Sequence, residues 1–172
     1  GFHQNWVSLL MKCVRIVKYR FNINGELSET IIPQRGLRQG DPLSPYLFLI
    51  CAEGFSSLLH VAEQQGLIEG IKICPSAPAV SHLLFADDSL LLLKANNSNA
   101  IELQRILDAY EGGSGQMLNR DKSSILFSSN CSPSCKSQVM NTLHLVSEGR
   151  NERYLGLPVY IGRSKTRVFQ YL

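Results

Sequence analysis

The sequence contains few of the features that mark secreted or membrane-spanning proteins. Its five cysteines lie at scattered positions (13, 51, 74, 131 and 135), an odd number that does not form a disulfide framework. Its apolar runs are broken by a charged residue, Gly or Pro before the roughly 20 residues that a membrane span requires. The first residues do not form a basic and apolar signal segment. We therefore expect an intracellular protein in a reducing compartment, without a membrane partner.

Charged residues are also scarce, at 18% of the 172 residues, whereas hydrophobic residues make up 44%. This composition can bury a substantial core and argues against wholesale disorder. The 17 basic and 14 acidic residues give a net charge of +3, which permits nucleic-acid binding without indicating it. Cys131 and Cys135 have no second pair of ligands nearby in the sequence, so we do not expect a zinc site.

The apolar pattern predicts helices and strands that alternate without a regular βαβ repeat. An apolar stripe at helical spacing predicts a first helix, and Asn24-Gly25 predicts a hairpin with a type I′ turn. We expect a long helix from Leu47 that ends at Gly66, and a helix that starts within the polar residues 96–99 and ends at Gly112-Gly113. This order favours the α+β class, an antiparallel sheet with helices on one face. Further elements are predicted at 67–73 (strand), 123–127 (strand), 134–145 (helix), 154–161 (extended chain) and 164–172 (start of a helix).

Two adjacent carboxylates, Asp87 and Asp88, stand between two apolar runs. A buried strand cannot hold a charge, so we expect the pair at the tip of an antiparallel hairpin formed by residues 83–85 and 90–92. Adjacent carboxylates repel each other, and a divalent cation stabilises them; their hard oxygen atoms suit Mg²⁺. Two such ions can support phosphoryl transfer. The alternative is structural, because Asp is a favoured turn residue.

A second polar segment, residues 35–45, is rich in glycine, proline and arginine. Its glycines allow a ligand to approach the backbone closely, Gln39 can donate to and accept from a base edge, and Arg38 can bind phosphate. Alternatively, the segment is a helix entry with Asp41 or Ser44 as N-cap. Both interpretations are compatible, because a helix N-terminus can itself bind phosphate.

The segment RGLRQGDPLSPYLF (residues 35–48) is followed further along the chain by Phe85-Ala86-Asp87-Asp88. As a pair these two motifs are a highly specific sequence signal, whereas either alone would be weak. Similar segments follow at 114–119 with Lys122, then at 154–158 and 162–165. In this order and spacing the chain resembles the reverse transcriptase of LINE-type (non-LTR) retroelements, particularly the plant kind. The resemblance implies an RNA-directed DNA polymerase, a nucleotidyltransferase of a retrotransposon. It also implies a polymerase palm and the start of a thumb.

The same resemblance implies roles for individual residues. Asp87 would ligate catalytic Mg²⁺ and Asp88 would assist it. Lys122 matches a lysine of the family's following palm motif, where it would protonate the pyrophosphate leaving group; an exposed loop lysine is the alternative.

The resemblance also implies contacts with the substrates, which would be an RNA template, a DNA primer and deoxynucleotides. Phe85 and Ala86 would line the primer end, while Arg38, Gln39 and Gly40 would contact the template and the incoming nucleotide. We expect Gly40 on the same side of the sheet as the two carboxylates.

The family's first metal-binding aspartate would lie upstream of residue 1, on a palm strand, as would the fingers. We therefore expect a fragment: residues 1–150 as a partial palm and 151–172 as a truncated palm-to-thumb connection. The upstream fingers and palm segment would be its partner, and the chain alone would be inactive. From the resemblance we expect the nucleus or the cytoplasm. Two alternatives remain: an inactive retroelement relic that at most binds RNA, and the palm of an intron-encoded maturase or telomerase-like enzyme, against which the segment RQGDPLSP argues.

Overall fold

The computed structural model describes residues 1–34, 38–149 and 153–158. The chain divides into two compact units, Gly1–Phe48 and Leu49–Leu172. The predicted division between residues 150 and 151 stays a prediction. Arg35 and Gly36 of the predicted loop, the segment 162–165 and the predicted helix at 164–172 lie outside the described residues.

The first unit consists of a helix and a small hairpin. Helix α1 (Gln4–Arg15) confirms the predicted stripe, although none of its residues is fully buried. Strands β1 (Asn22–Ile23) and β2 (Glu26–Leu27) pair in antiparallel fashion. Asn24 and Gly25 connect them with φ values of 54° and 94°. Two positive φ values are those of a type I′ turn, as predicted from this dipeptide.

Helix α2 (Ser44–Gln64) is the longest element, with 21 residues. Gly66, two residues after the last helical residue, terminates the helix as predicted, with a φ of 71°. Its N–H donates to the carbonyl of Glu63, and the N–H of Leu67 donates to the carbonyl of Ala62. This pair of bonds is a Schellman motif, which satisfies two carbonyls at the helix end.

By length and composition, α2 is the one described helix that could also cross a membrane, with a mean hydropathy of 1.3. Helices that pack in a protein core pass the same test, and Phe55, Leu59 and Ala62 of α2 lie in such a core. The expectation of no membrane partner stays a prediction.

Strands β3 (His82–Phe85) and β4 (Asp88–Leu91) form an antiparallel hairpin in the second unit. The base of this hairpin is extended by isolated bridges that join Gly70 to Leu93 and Ile71 to Val80. The predicted strand at 67–73 is thus reduced to two bridging residues among those the structure describes. The predicted strand at 123–127 is likewise a single bridge, from Ile125 to Glu148.

Helices α3 (Asn97–Ser114) and α4 (Pro133–Leu143) pack against each other. The prediction that α3 ends at Gly112-Gly113 is wrong. The helix continues to Ser114, and Gly115 with a φ of 72° ends it by donating its N–H to the carbonyl of Glu111. A helix can include glycine at a modest cost, whereas the left-handed residue that terminates it favours glycine.

The core of the second unit lies between α2, α3 and α4. Leu59 and Ile106 are completely buried, and the rings of Phe55 and Tyr110 are 4.8 Å apart between their centroids. The hairpin contributes Leu84 and Leu91 to the margin of this core. Among the residues that the structure describes, ten apolar ones are buried: Phe55, Leu59, Ala62, Ile68, Ala100, Leu103, Ile106, Leu107, Val139 and Leu143.

Strands β5 (Arg153–Tyr154) and β6 (Leu157–Pro158) form a third hairpin where extended chain was predicted. Leu155 and Gly156, with φ values of 53° and 79°, make the turn. In the described part of the chain the sheets are thus three separate two-stranded ones. Four helices with small antiparallel sheets confirm the α+β class.

Candidate functional site

The two adjacent carboxylates lie at the tip of the β3–β4 hairpin, as predicted. Phe85 pairs with Asp88, which leaves Ala86 and Asp87 as a two-residue turn. Asp88 is therefore the first residue of β4, two positions closer to the turn than the predicted strand start at residue 90. Ala86 has a φ of 50°, a conformation that is uncommon for residues other than glycine. Such backbone outliers concentrate at functional sites.

The pairing register decides which hairpin residues share a face. Directly opposed residues of an antiparallel pair point to the same side of the sheet. Phe85 and Asp88 thus share one face with Leu83, and Phe85 and Leu83 are 59% and 46% exposed. The other face carries Leu84, which packs against the core. The hairpin therefore presents an apolar surface with an acidic tip.

Both carboxylates are exposed, and together they could hold a divalent cation. Mg²⁺ typically keeps several waters and binds through one or two carboxylates plus substrate phosphates. Asp87 and Asp88 fit this donor set. Among the described residues, no three His, Cys, Asp or Glu side chains are grouped as a complete metal site would require, so further ligands would have to come from water or substrate.

The segment before α2 is built around Asp41. Its carboxylate accepts the N–H of Leu43 at 2.9 Å, while the Ser44 hydroxyl donates to the Arg38 carbonyl at 2.7 Å. The predicted capping role of Asp41 is therefore seen as an Asx turn ahead of the helix. Gly40 has a φ of 79°, which explains the need for glycine at this position.

The side chains predicted to contact template and nucleotide are accessible. Arg38, Gln39 and Gly40 are all exposed. Arg38 and Asp41 also line a small cavity of about 40 Å³ within the first unit, together with apolar residues of α1 such as Val14. The expectation that Gly40 lies on the same side as the carboxylates stays a prediction, as do the roles of these residues.

Lys122 lies in an exposed turn after α3. Its backbone N–H donates to the Asn119 carbonyl at 3.2 Å, and this bond holds the backbone of the turn. This is the geometry of a loop lysine, and a catalytic role for Lys122 stays a prediction.

Sequence reasoning missed a polar cluster at the base of the hairpin. The Ser81 hydroxyl donates to Glu63 Oε2 at 3.0 Å and lies 3.0 Å from His82 Nδ1, while His82 Nε2 lies 2.8 Å from Ser56 Oγ. We refer to these four residues as the hairpin anchor. Burial lowers the pKa of His82, an effect that Glu63 opposes and His60 reinforces. The available signal was the pair Ser81-His82, two polar residues where an apolar strand begins.

Comparisons with known proteins bear on this arrangement. Residues 1–159 match the model of the family described as reverse transcriptase (RNA-dependent DNA polymerase). An uncharacterized mitochondrial protein of Arabidopsis thaliana is 52% identical over 69 residues, which are 40% of this chain and 57% of that protein. A retrovirus-related Pol polyprotein from the type-1 retrotransposable element R2 of Nasonia vitripennis is 34% identical over 97 residues, 56% of this chain and 9% of the polyprotein.

The chain thus spans less than two thirds of the length of either relative. The family match, by contrast, covers residues 1–159 of this chain, which include both the segment before α2 and the acidic hairpin. The chain belongs to the reverse transcriptase (RNA-dependent DNA polymerase) family.

Proposed function

We propose that this chain is part of the palm of an RNA-directed DNA polymerase from a non-LTR retroelement. The observation that carries the proposal is the β3–β4 hairpin, which holds Asp87 and Asp88 at an exposed turn after an apolar strand. The likeness to the Pol polyprotein of element R2 supports a retrotransposon origin. The substrates would be an RNA template, a DNA primer and deoxynucleotides.

Members of this family use a divalent metal ion, and we assign it here as Mg²⁺ held by Asp87 with the assistance of Asp88. When bound, the ion would supply charge stabilisation for phosphoryl transfer. Positioning of the primer end and the nucleotide would lower the barrier further. The exposed Phe85 side chain, on the same face as Asp88, would support the primer end, and Ala86 would keep the turn close to it.

The segment before α2 would bind the other substrates. Arg38 is exposed and permanently charged, so it can hold a phosphate oxygen. The amide of Gln39 can donate to and accept from a base edge, and Gly40 lets the backbone approach a nucleotide. Lys122 would donate a proton to the leaving pyrophosphate.

The direct test is primer extension with an RNA template, deoxynucleotides and Mg²⁺. We expect no extension by the 172-residue chain alone, because two carboxylates do not complete a two-metal site. We expect extension when the chain is joined to an upstream fingers and palm segment, and Asp87→Ala should abolish it. Asp108→Ala is the matched control, since Asp108 is an exposed carboxylate on α3 whose side chain accepts a bond from Gln104.

Retained extension by the Asp87→Ala polymerase would contradict the metal assignment. Robust extension by the 172-residue chain alone would show that the chain already contains a complete site.

A further inference from the structure

We propose that the hairpin anchor (Ser56, Glu63, Ser81 and His82) is a positioning device that selects which face of β3 packs on α2, and so places Asp87 and Asp88 at the exposed tip. The inference rests on the proposed function in one respect, namely that Asp87 and Asp88 bind the catalytic ion. The anchor itself rests on contacts within the second unit.

The hydrogen bonds of the anchor run in one direction. Glu63 Oε2, as a carboxylate oxygen, accepts the Ser81 hydroxyl proton at 3.0 Å. Since that hydroxyl has one proton, the 3.0 Å contact between Ser81 Oγ and His82 Nδ1 requires the ring N–H to donate. Neutral His82 then accepts the Ser56 hydroxyl at Nε2, at 2.8 Å. The structure thus assigns the Nδ1–H tautomer to His82.

The anchor joins β3 to α2 at two helical positions. Ser56 and Glu63 are seven residues apart on α2, which places them on one side of the helix two turns apart. Ser81 is 3% exposed, so loss of its hydroxyl would leave two half-buried partners, Glu63 and His82, without this hydrogen bond. The Ser81 carbonyl also accepts the N–H of Leu92 at 2.8 Å, and this bond ties the anchor to the end of β4.

Hydrophobic patterning alone does not specify this hairpin. Residues 83–85 and 90–93 are all apolar, so for these residues a shift of one position would exchange one apolar face for another without loss of apolar burial. Such a shift turns every side chain to the opposite face of the strand. It would move Asp88 from the exposed face to the core face. A partly buried, directional hydrogen-bond chain penalises the shift, because His82 in its present orientation reaches Ser56.

NMR of the ¹⁵N-labelled 172-residue chain tests the anchor directly. We expect the Nδ1–H tautomer at His82 and one set of amide signals for residues 82–91. Ser81→Ala should produce a mixture of tautomers and a second set of hairpin signals. Ser56→Ala, at the less buried end of the anchor, should weaken the tautomer preference in the same direction. Ser57→Ala is the control, an exposed serine next to Ser56 on the same helix.

Mn²⁺ provides the readout at the carboxylates, because a bound paramagnetic ion broadens nearby amide signals. In Ser81→Ala we expect the apparent affinity at Asp87 and Asp88 to fall by about two- to thirtyfold, as expected for coupling through a packed network. An Nε2–H tautomer in the unsubstituted chain would overturn the proposal. Unchanged tautomer and hairpin signals in Ser81→Ala would also overturn it. No Mn²⁺ broadening in the unsubstituted chain would count against the metal assignment only, since the tautomer and hairpin signals judge the anchor independently.

Discussion

At the scale of single residues, the base of the acidic hairpin depends on Gly70 as much as on the anchor. A Cβ atom at position 70 would lie 2.7 Å from Glu63 Oε1 and 2.9 Å from the carbonyl carbon and oxygen of Val80. Glu63 Oε1 itself is buried without a hydrogen-bond partner. The absence of a side chain therefore allows α2, the segment around residue 70 and the start of β3 to approach closely.

We predict that Gly70→Ala destabilises the chain by about 1–3 kcal/mol, the usual cost of overpacking. The Val80 backbone cannot move away without breaking its bonds to Ile71. Urea unfolding followed by circular dichroism measures the change. Gly112→Ala is the control, because no atom lies within 4 Å of its added Cβ and a helical Gly→Ala change stabilises by about 0.5–1 kcal/mol. Equal stability of Gly70→Ala and the unsubstituted chain would contradict the close packing.

His82 makes the stability of the chain depend on pH. Burial holds its pKa in the folded state below the ordinary value, which is about 6.5 in the unfolded chain. Between the two values the unfolded state binds more protons than the folded state, so the free energy of unfolding decreases as the pH is lowered through this range. The contribution of neutral His82 to stability is fully present above about pH 6.5. The urea midpoint should decrease between about pH 7.5 and about pH 5.5, and less so in His82→Gln. The same decrease in both proteins would exclude His82 as its source.

At the scale of elements, the helices begin and end at residues whose side chains or backbones replace the missing helical bonds. Asn96 caps α3 by accepting the N–H of Asn99 at 2.7 Å, and Ser132 caps α4 through the N–H of Cys135. At the far end of α4, Arg120 Nη1 donates to the Leu143 carbonyl at 2.5 Å. A cation is favourable at a helix C-terminus, so this contact joins the loop after α3 to the end of α4.

Replacing the α3 cap is the clearest test at this scale. Asn96→Ala removes the acceptor for the Asn99 N–H and should cost about 1 kcal/mol of unfolding free energy. Thermal or urea unfolding provides the measurement. Asn96→Asp keeps a side-chain oxygen at the N-cap, and its stability should stay close to that of the unsubstituted chain. An equal loss in both variants would show that the Asn96 amide group, rather than its oxygen, stabilises the helix start.

At the scale of the whole molecule, the charge is too small to dominate nucleic-acid binding but has the sign that favours it. The net charge is +3, and the sequence pI is about 8.6. Contacts to a single strand would come mainly from arginine and lysine to phosphate. Binding of this kind releases counterions and therefore weakens as salt is added.

We predict that the 172-residue chain binds single-stranded RNA weakly and with a strong salt dependence. Each phosphate contact should add about −0.7 to the slope of log affinity against log salt concentration. Fluorescence anisotropy with labelled RNA at several salt concentrations measures this slope. Arg38→Gln should make it less steep if Arg38 binds phosphate, whereas Lys72→Gln, an exposed residue outside the proposed site, serves as the control. Nanomolar, salt-insensitive and sequence-specific binding would contradict the prediction.

The sequence alone determined the features that depend on neighbouring residues. Asn24-Gly25 specifies its turn because both positions tolerate positive φ, and Gly66 ends α2 for a similar reason. The acidic tip of the hairpin follows from charge, since Asp87 and Asp88 cannot remain in a buried strand. The family follows from the order of its motifs, which is a property of the sequence itself.

Only the tertiary structure decided which face of the hairpin is exposed and what holds it. An all-apolar strand has no alternation from which its inner face could be predicted, and the anchor joins Ser56 to His82 across 26 positions of the chain. The predicted end of α3 was wrong for a related reason. Any of the glycines at 112, 113 and 115 could have ended the helix, and the left-handed backbone conformation at Gly115 decides among them. Local signals thus determine turns and caps, whereas contacts between distant segments determine faces and register.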